Sequence, residues 1–128
     1  MKKIAHLLIL LILSFNLMAH EGHNSTPGSY KTLYGGTISV GKEINLEVII
    51  NGLEFTVYPL SHESKDLTEV KIEALGKPKK GKAYPIVLKK LQKGYSATVD
   101  LKGDNRLPVQ ITTNYKNKTD VFTIQIEE

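Results

Sequence analysis

Residues 44–59 read Ile44-Asn45-Leu46-Glu47-Val48-Ile49-Ile50-Asn51-Gly52-Leu53-Glu54-Phe55-Thr56-Val57-Tyr58-Pro59. Ile44, Leu46, Val48 and Ile50 fall on every second position, as do Leu53, Phe55, Val57 and Pro59. A period of two puts alternate side chains on opposite faces of an extended strand, so each run predicts a strand with one apolar face. Asn51-Gly52 between them predicts a two-residue hairpin turn with both residues at positive φ. The unit that decides the fold is therefore an antiparallel hairpin.

The same alternation recurs outward from it. Val70, Ile72 and Ala74 form one run, and Tyr95, Ala97, Val99 and Leu101 another. Leu107, Val109 and Ile111 precede a turn near Lys116-Asn117-Lys118, and Phe122, Ile124 and Ile126 follow it. Ile86 and Leu88 mark a short strand that Pro85 places at a start or an edge, because proline has no N–H for a ladder. With Thr37–Val40, this makes seven or eight short strands and no helical period. Strands at such spacing predict an all-β fold, an Ig-like antiparallel β-sandwich, with a small closed barrel as the alternative. The core rests on Val, Ile, Leu and two Phe.

The N-terminus has another character. Met1-Lys2-Lys3 is basic, Ile4–Leu17 is apolar, and Met18-Ala19 ends on a small residue. That order predicts a cleavable secretory signal peptide over residues 1–19. An apolar run of about 14 residues falls short of the roughly 20 that span a bilayer. The chain is thus expected in the periplasm or secreted, with no stable membrane insertion after cleavage. No cysteine follows the run for lipid attachment. Residues 20–31 are polar and rich in Gly, Ser and Thr, which predicts a flexible tail ahead of the domain at 32–128. Without Lys2 and Lys3 the balance is 15 basic to 13 acidic residues. So small an excess gives no electrostatic footprint for nucleic acid.

Both methionines, Met1 and Met18, lie in the signal, and cysteine is absent. Every soft metal ligand is therefore missing from the mature chain. Hard and borderline ligands are not. Cleavage after Ala19 gives His20 a free α-amine, which can close a chelate ring with its own imidazole. His23 adds a second imidazole, Glu21 an oxygen, and Gly22 lets the backbone fold between them. Imidazole and amine nitrogens suit Cu(II), Zn(II), Ni(II) and Co(II). His62 stands on a predicted loop beyond Pro59 and is a further candidate ligand. Catalytic patterns are missing: no Gly-x-Ser-x-Gly, no phosphate-cradling glycine loop and no His-Glu-x-x-His. An enzyme is not expected. Glu43, Glu47, Glu54, Glu69 and Glu73 fall on predicted outward positions or loops, where solvent accounts for them. Lys77, Lys79, Lys80, Lys82, Lys89, Lys90 and Lys93 read as a charged loop and strand edge that block aggregation.

Four segments together resemble the small His-tailed β-domain associated with periplasmic adaptor subunits of heavy-metal efflux pumps and its stand-alone relatives. They are Ala19-His20-Glu21-Gly22-His23, Tyr34-Gly35-Gly36-Thr37-Ile38, Ile44-Asn45-Leu46-Glu47-Val48, and Phe55-Thr56-Val57-Tyr58-Pro59-Leu60-Ser61-His62. In that family the second segment is commonly His-Gly-Gly, and Tyr34 takes the histidine's position here. His62 matches a position often written Asp-His. The adaptor's helical hairpin, lipoyl and barrel regions have no counterpart. The resemblance implies a periplasmic domain that binds divalent metal for heavy-metal homeostasis or efflux, with an efflux pump or other envelope protein as partner. The competing expectation is an envelope protein–protein interaction module that binds no specific metal.

Overall fold

The computed structural model describes residues 30–128. The expected signal peptide at 1–19 and tail residues 20–29, which include His20, Glu21 and His23, lie outside the described residues.

Alternation in the sequence becomes nine strands: β1 Thr37–Val40, β2 Asn45–Asn51, β3 Glu54–Leu60, β4 Val70–Gly76, β5 Tyr84–Ile86, β6 Lys89–Lys90, β7 Tyr95–Thr98, β8 Arg106–Tyr115 and β9 Lys118–Glu127. They form two antiparallel sheets, ordered β1-β2-β3-β7-β6 and β5-β4-β8-β9. The all-β, Ig-like sandwich expected from the sequence is the observed architecture. Among the described residues the strands number nine, against the expected seven or eight. The run around Ile86–Leu88 is two strands, with β5 in one sheet and β6 in the other. Val87, 88 % exposed, lies where the chain changes sheets. Pro85 sits in β5, an edge strand, as its missing N–H requires.

The core lies between the inner faces. Leu46, Phe55 and Val57 of one sheet and Leu107, Val109, Ile111 and Ile126 of the other are wholly buried. Removing each from water contributes roughly 1.5–3 kcal/mol. The register pairs Leu46 with Pro59, Val48 with Val57 and Ile50 with Phe55. It also moves the hairpin turn by one residue. Asn51 pairs with Glu54, so the turn residues are Gly52 and Leu53. Gly52 has φ 63° and neither Asn51 nor Leu53 is left-handed. The expected turn with two positive φ values is thus replaced by one with glycine at the first position, the II′ pattern. The β8–β9 turn has two left-handed residues instead, Lys116 and Asn117 at φ 52° and 64°.

The outer face of β2 departs from simple alternation. Asn45 and Glu47 point away from the core, yet they are 1 % and 0 % exposed. A strap formed by Leu33–Gly36, which has no regular structure, covers Glu47. Gly36 allows this close approach: a Cβ there would lie 2.5 Å from the Val48 carbonyl oxygen and 2.8 Å from Ile49 Cγ1. Asn45 keeps both its side-chain nitrogen and oxygen buried without a hydrogen-bond partner among the described residues. A buried unsatisfied polar group costs about 1–3 kcal/mol. Asn45→Leu, which keeps the branching at Cγ and removes both polar atoms, is therefore expected to raise the urea midpoint by an amount worth about 1–3 kcal/mol at unchanged m-value. A lower midpoint would show that Asn45 is satisfied by bound water.

Candidate functional site

Of the four candidate ligands, the described residues contain His62. It stands on the connection from β3 to β4, as expected, and is exposed. Its Nε2 lies 3.0 Å from the Gly41 carbonyl oxygen. A carbonyl only accepts, so this bond places the ring proton on Nε2 and the lone pair of the neutral ring on Nδ1. A metal ion would be taken at Nδ1.

Beside His62 is a carboxylate with a different task. Asp120 accepts three backbone N–H bonds from the β1–β2 loop: from Lys42 at 2.7 Å, Glu43 at 2.9 Å and Ile44 at 3.0 Å. Burial pushes its pKa up. The three donors, together with the charge of His62 when its ring is protonated, outweigh this and bring it below the ordinary carboxylate value. Gly41 lets the loop close on it, because a Cβ there would meet the Ile44 carbonyl oxygen and lie 2.7 Å from Phe122 Cζ. Asp120 holds this loop, with Oδ1 accepting one of its N–H groups and Oδ2 two. Among the described residues no group of three His, Cys, Asp or Glu side chains is arranged to hold a metal ion.

Tyr34, at the position where the resembling family commonly has histidine, has a structural part. Its ring stacks on Tyr58 with centroids 3.8 Å apart and planes 11° from parallel. Its hydroxyl donates to Asp66 Oδ1 at 2.5 Å. The hydrogen bond to Asp66, then burial and the neighbouring acidic charge, push the Tyr34 pKa up to about 12. The side chain therefore stays a neutral phenol at physiological pH. Asp66 is held below its ordinary value, chiefly by the bond from Tyr34 and further by Lys93, against the opposing effect of burial. Lys93 Nζ reaches Asp66 Oδ2 at 3.1 Å.

Sequence reasoning missed Glu47. It was expected on a solvated sheet face and is instead wholly buried. Its Oε1 accepts from the Leu33 N–H at 2.7 Å, and its Oε2 from Tyr34 and Gly36, both at 2.8 Å. Glu47 and the Tyr34–Tyr58 stack hold the strap on the sheet. Tyr34–Asp66 then ties the strap to the same connection that carries His62 (Ser61–Glu69). The seven clustered lysines are exposed; Lys89 and Lys90 make up the whole of edge strand β6. Among the described residues no helix is long and apolar enough to cross a membrane.

Comparison with protein-family models, with curated proteins and with solved structures finds no match.

Proposed function

We propose that the chain is an exported divalent-metal-binding protein, which buffers or hands over ions of the Cu(II) or Zn(II) type in the periplasm. The primary ligands are the amine and imidazole of His20 and the imidazole of His23. Glu21 supports them and His62 supplies a ligand from the domain. The ligand set is nitrogen and oxygen only, which matches the absence of Cys and Met from the mature chain. Heavy-metal homeostasis or efflux is the setting implied by the family resemblance.

The observation that supports this reading is the ligand set itself: His20, Glu21 and His23 stand within four residues of sequence, His62 is exposed on the β3–β4 connection, and the chain beyond the expected signal has no Cys or Met.

Isothermal titration of Cu(II) into protein whose N-terminus is verified by mass as His20 tests the proposal. The protein is expected to bind roughly tenfold or more tightly than a free His-Glu-Gly-His peptide, a difference of about 1.4 kcal/mol. His62→Ala is expected to remove that advantage and His20→Ala most of the binding. Equal affinity of protein and peptide would take the fold out of the function. Unchanged binding by His20→Ala would end the chelate itself.

A further inference from the structure

An open sheet edge invites pairing with another chain, and proteins commonly block it. Four strands stand at edges here: β1, β6, β5 and β9. β5 contains Pro85, β6 is two lysines, and β1 is four residues long and followed by Lys42. β9 carries charges, Lys118, Asp120 and Glu127, only towards its ends and has no proline. It has ten residues, and Val121-Phe122-Thr123-Ile124-Gln125-Ile126 is free of charge and proline. One edge of β9 pairs with β8 along its whole length. No strand pairs with its other edge among the described residues. Thr119, Val121, Thr123 and Gln125 are exposed on its outer face, Val121 to 57 %.

We infer that β9 is a dimerisation edge, at which two copies of the chain pair antiparallel about Thr123. The register follows from parity and charge. Paired residues share a face of the sheet, so the two-fold axis must pass through a residue rather than between two. Centring on Thr123 pairs Thr119 with Glu127, Val121 with Gln125 and Phe122 with Ile124 of the second copy. It also brings Lys118 of each copy opposite Glu128 of the other, an opposite-charge pair at both ends. Centring one residue later sets Asp120 against Glu128, which repel. Centring one residue earlier leaves Glu127 and Glu128 beyond the ladder. Lys118 also lies 3.3 Å from Glu43 of its own chain, but its side chain remains 70 % exposed. Thr123 meets Thr123 at the axis, where a threonine pair is favourable and a pair of like charges is not. The product is one continuous eight-stranded sheet across two sandwiches.

Sedimentation equilibrium and cross-linking in the presence of EDTA test this independently of metal. The wild type is expected to form a concentration-dependent dimer. Thr123→Lys and Thr123→Glu should each be monomeric with unchanged circular dichroism. Mixing the two should restore a dimer, because lysine then faces glutamate at the axis. The natural chain lacks cysteine, so Thr123→Cys provides a single reporter. It should give a disulfide-linked dimer with diamide, whereas Val87→Cys, exposed beyond the opposite edge strand β5, should not. A wild type monomeric to its solubility limit would overturn the inference. So would dimers indifferent to both charge variants, dimers lost in EDTA, or Val87→Cys linking as fast as Thr123→Cys.

Discussion

Glu47→Ala is expected to destabilise the domain by about 3–5 kcal/mol, a large share of the roughly 5–15 kcal/mol that holds a typical domain folded. The carboxylate accepts three backbone N–H bonds at 2.7–2.8 Å with no exposure to solvent. Hydrogen bonds to a charged acceptor are among the stronger ones, and their loss leaves three donors facing an apolar stub. The strap then has two ways to respond. It stays docked with unsatisfied N–H groups, or it lifts, hydrates them and uncovers the outer face of β2. Either response appears as lost hydrogen-exchange protection at the Leu33, Tyr34 and Gly36 amides, together with a lower urea midpoint. Glu47→Gln should fall between. Its amide oxygen can replace Oε2 for Tyr34 and Gly36, but its NH₂ then meets the Leu33 N–H, donor against donor. A change of less than about 0.5 kcal/mol in Glu47→Ala, the range of ordinary surface substitutions, would remove the clamp from the account.

Why Glu47 escaped the sequence reading is instructive. Period-two alternation assigns a residue to a face but not to solvent. Glu47 is correctly placed on the outer face, and a strap with no period of its own covers it. The signal that could have found it is the pair Gly35-Gly36 immediately before β1: one has φ 77° and the other admits a neighbouring backbone. Similar logic explains the hairpin. Asn-Gly marks the turn, but turns at Asn51-Gly52 and at Gly52-Leu53 both keep the apolar residues of the two strands on one face, so alternation does not choose between them; the observed pairing of Ile50 with Phe55 makes Asn51 the last strand residue. The core was legible because burial follows alternation directly; Leu46, Val57 and Val109 are where the pattern puts them. β6 was not, because two lysines have no apolar period. His62 was legible as a loop residue. Its neighbour Asp120 was not, since the two are 58 positions apart in sequence and both reach the β1–β2 loop only in the folded chain.

Asp120 provides the second large effect and the clearest pH dependence. Asp120→Ala should cost about 2–4 kcal/mol at pH 7, because the Lys42, Glu43 and Ile44 N–H groups lose their common acceptor. The direction with pH follows from the depressed folded-state pKa. The unfolded chain binds its proton near the ordinary value of about 3.9, the folded chain only at lower pH. The stabilisation by the ionised group is therefore complete above that ordinary value and declines as pH falls through the folded one. Asp66 is depressed as well and declines in the same acid window. Wild-type stability should thus fall steeply below about pH 4, and each of Asp120→Asn and Asp66→Asn should flatten part of that fall. His62 separates the two. Its positive charge is one of the influences holding Asp120 down and does not figure among those acting on Asp66. In His62→Ala the folded-state pKa of Asp120 should lie closer to its ordinary value, so the acid loss associated with Asp120 should be smaller and end at higher pH while that of Asp66 stays in place. Urea midpoints between pH 2 and 6 (a span of about two units either side of the ordinary carboxylate value) measure all four proteins on one scale. An acid profile identical in wild type and Asp120→Asn would refute the role given to this carboxylate. An unmoved profile in His62→Ala would mean that the histidine and the Asp120 clamp act independently.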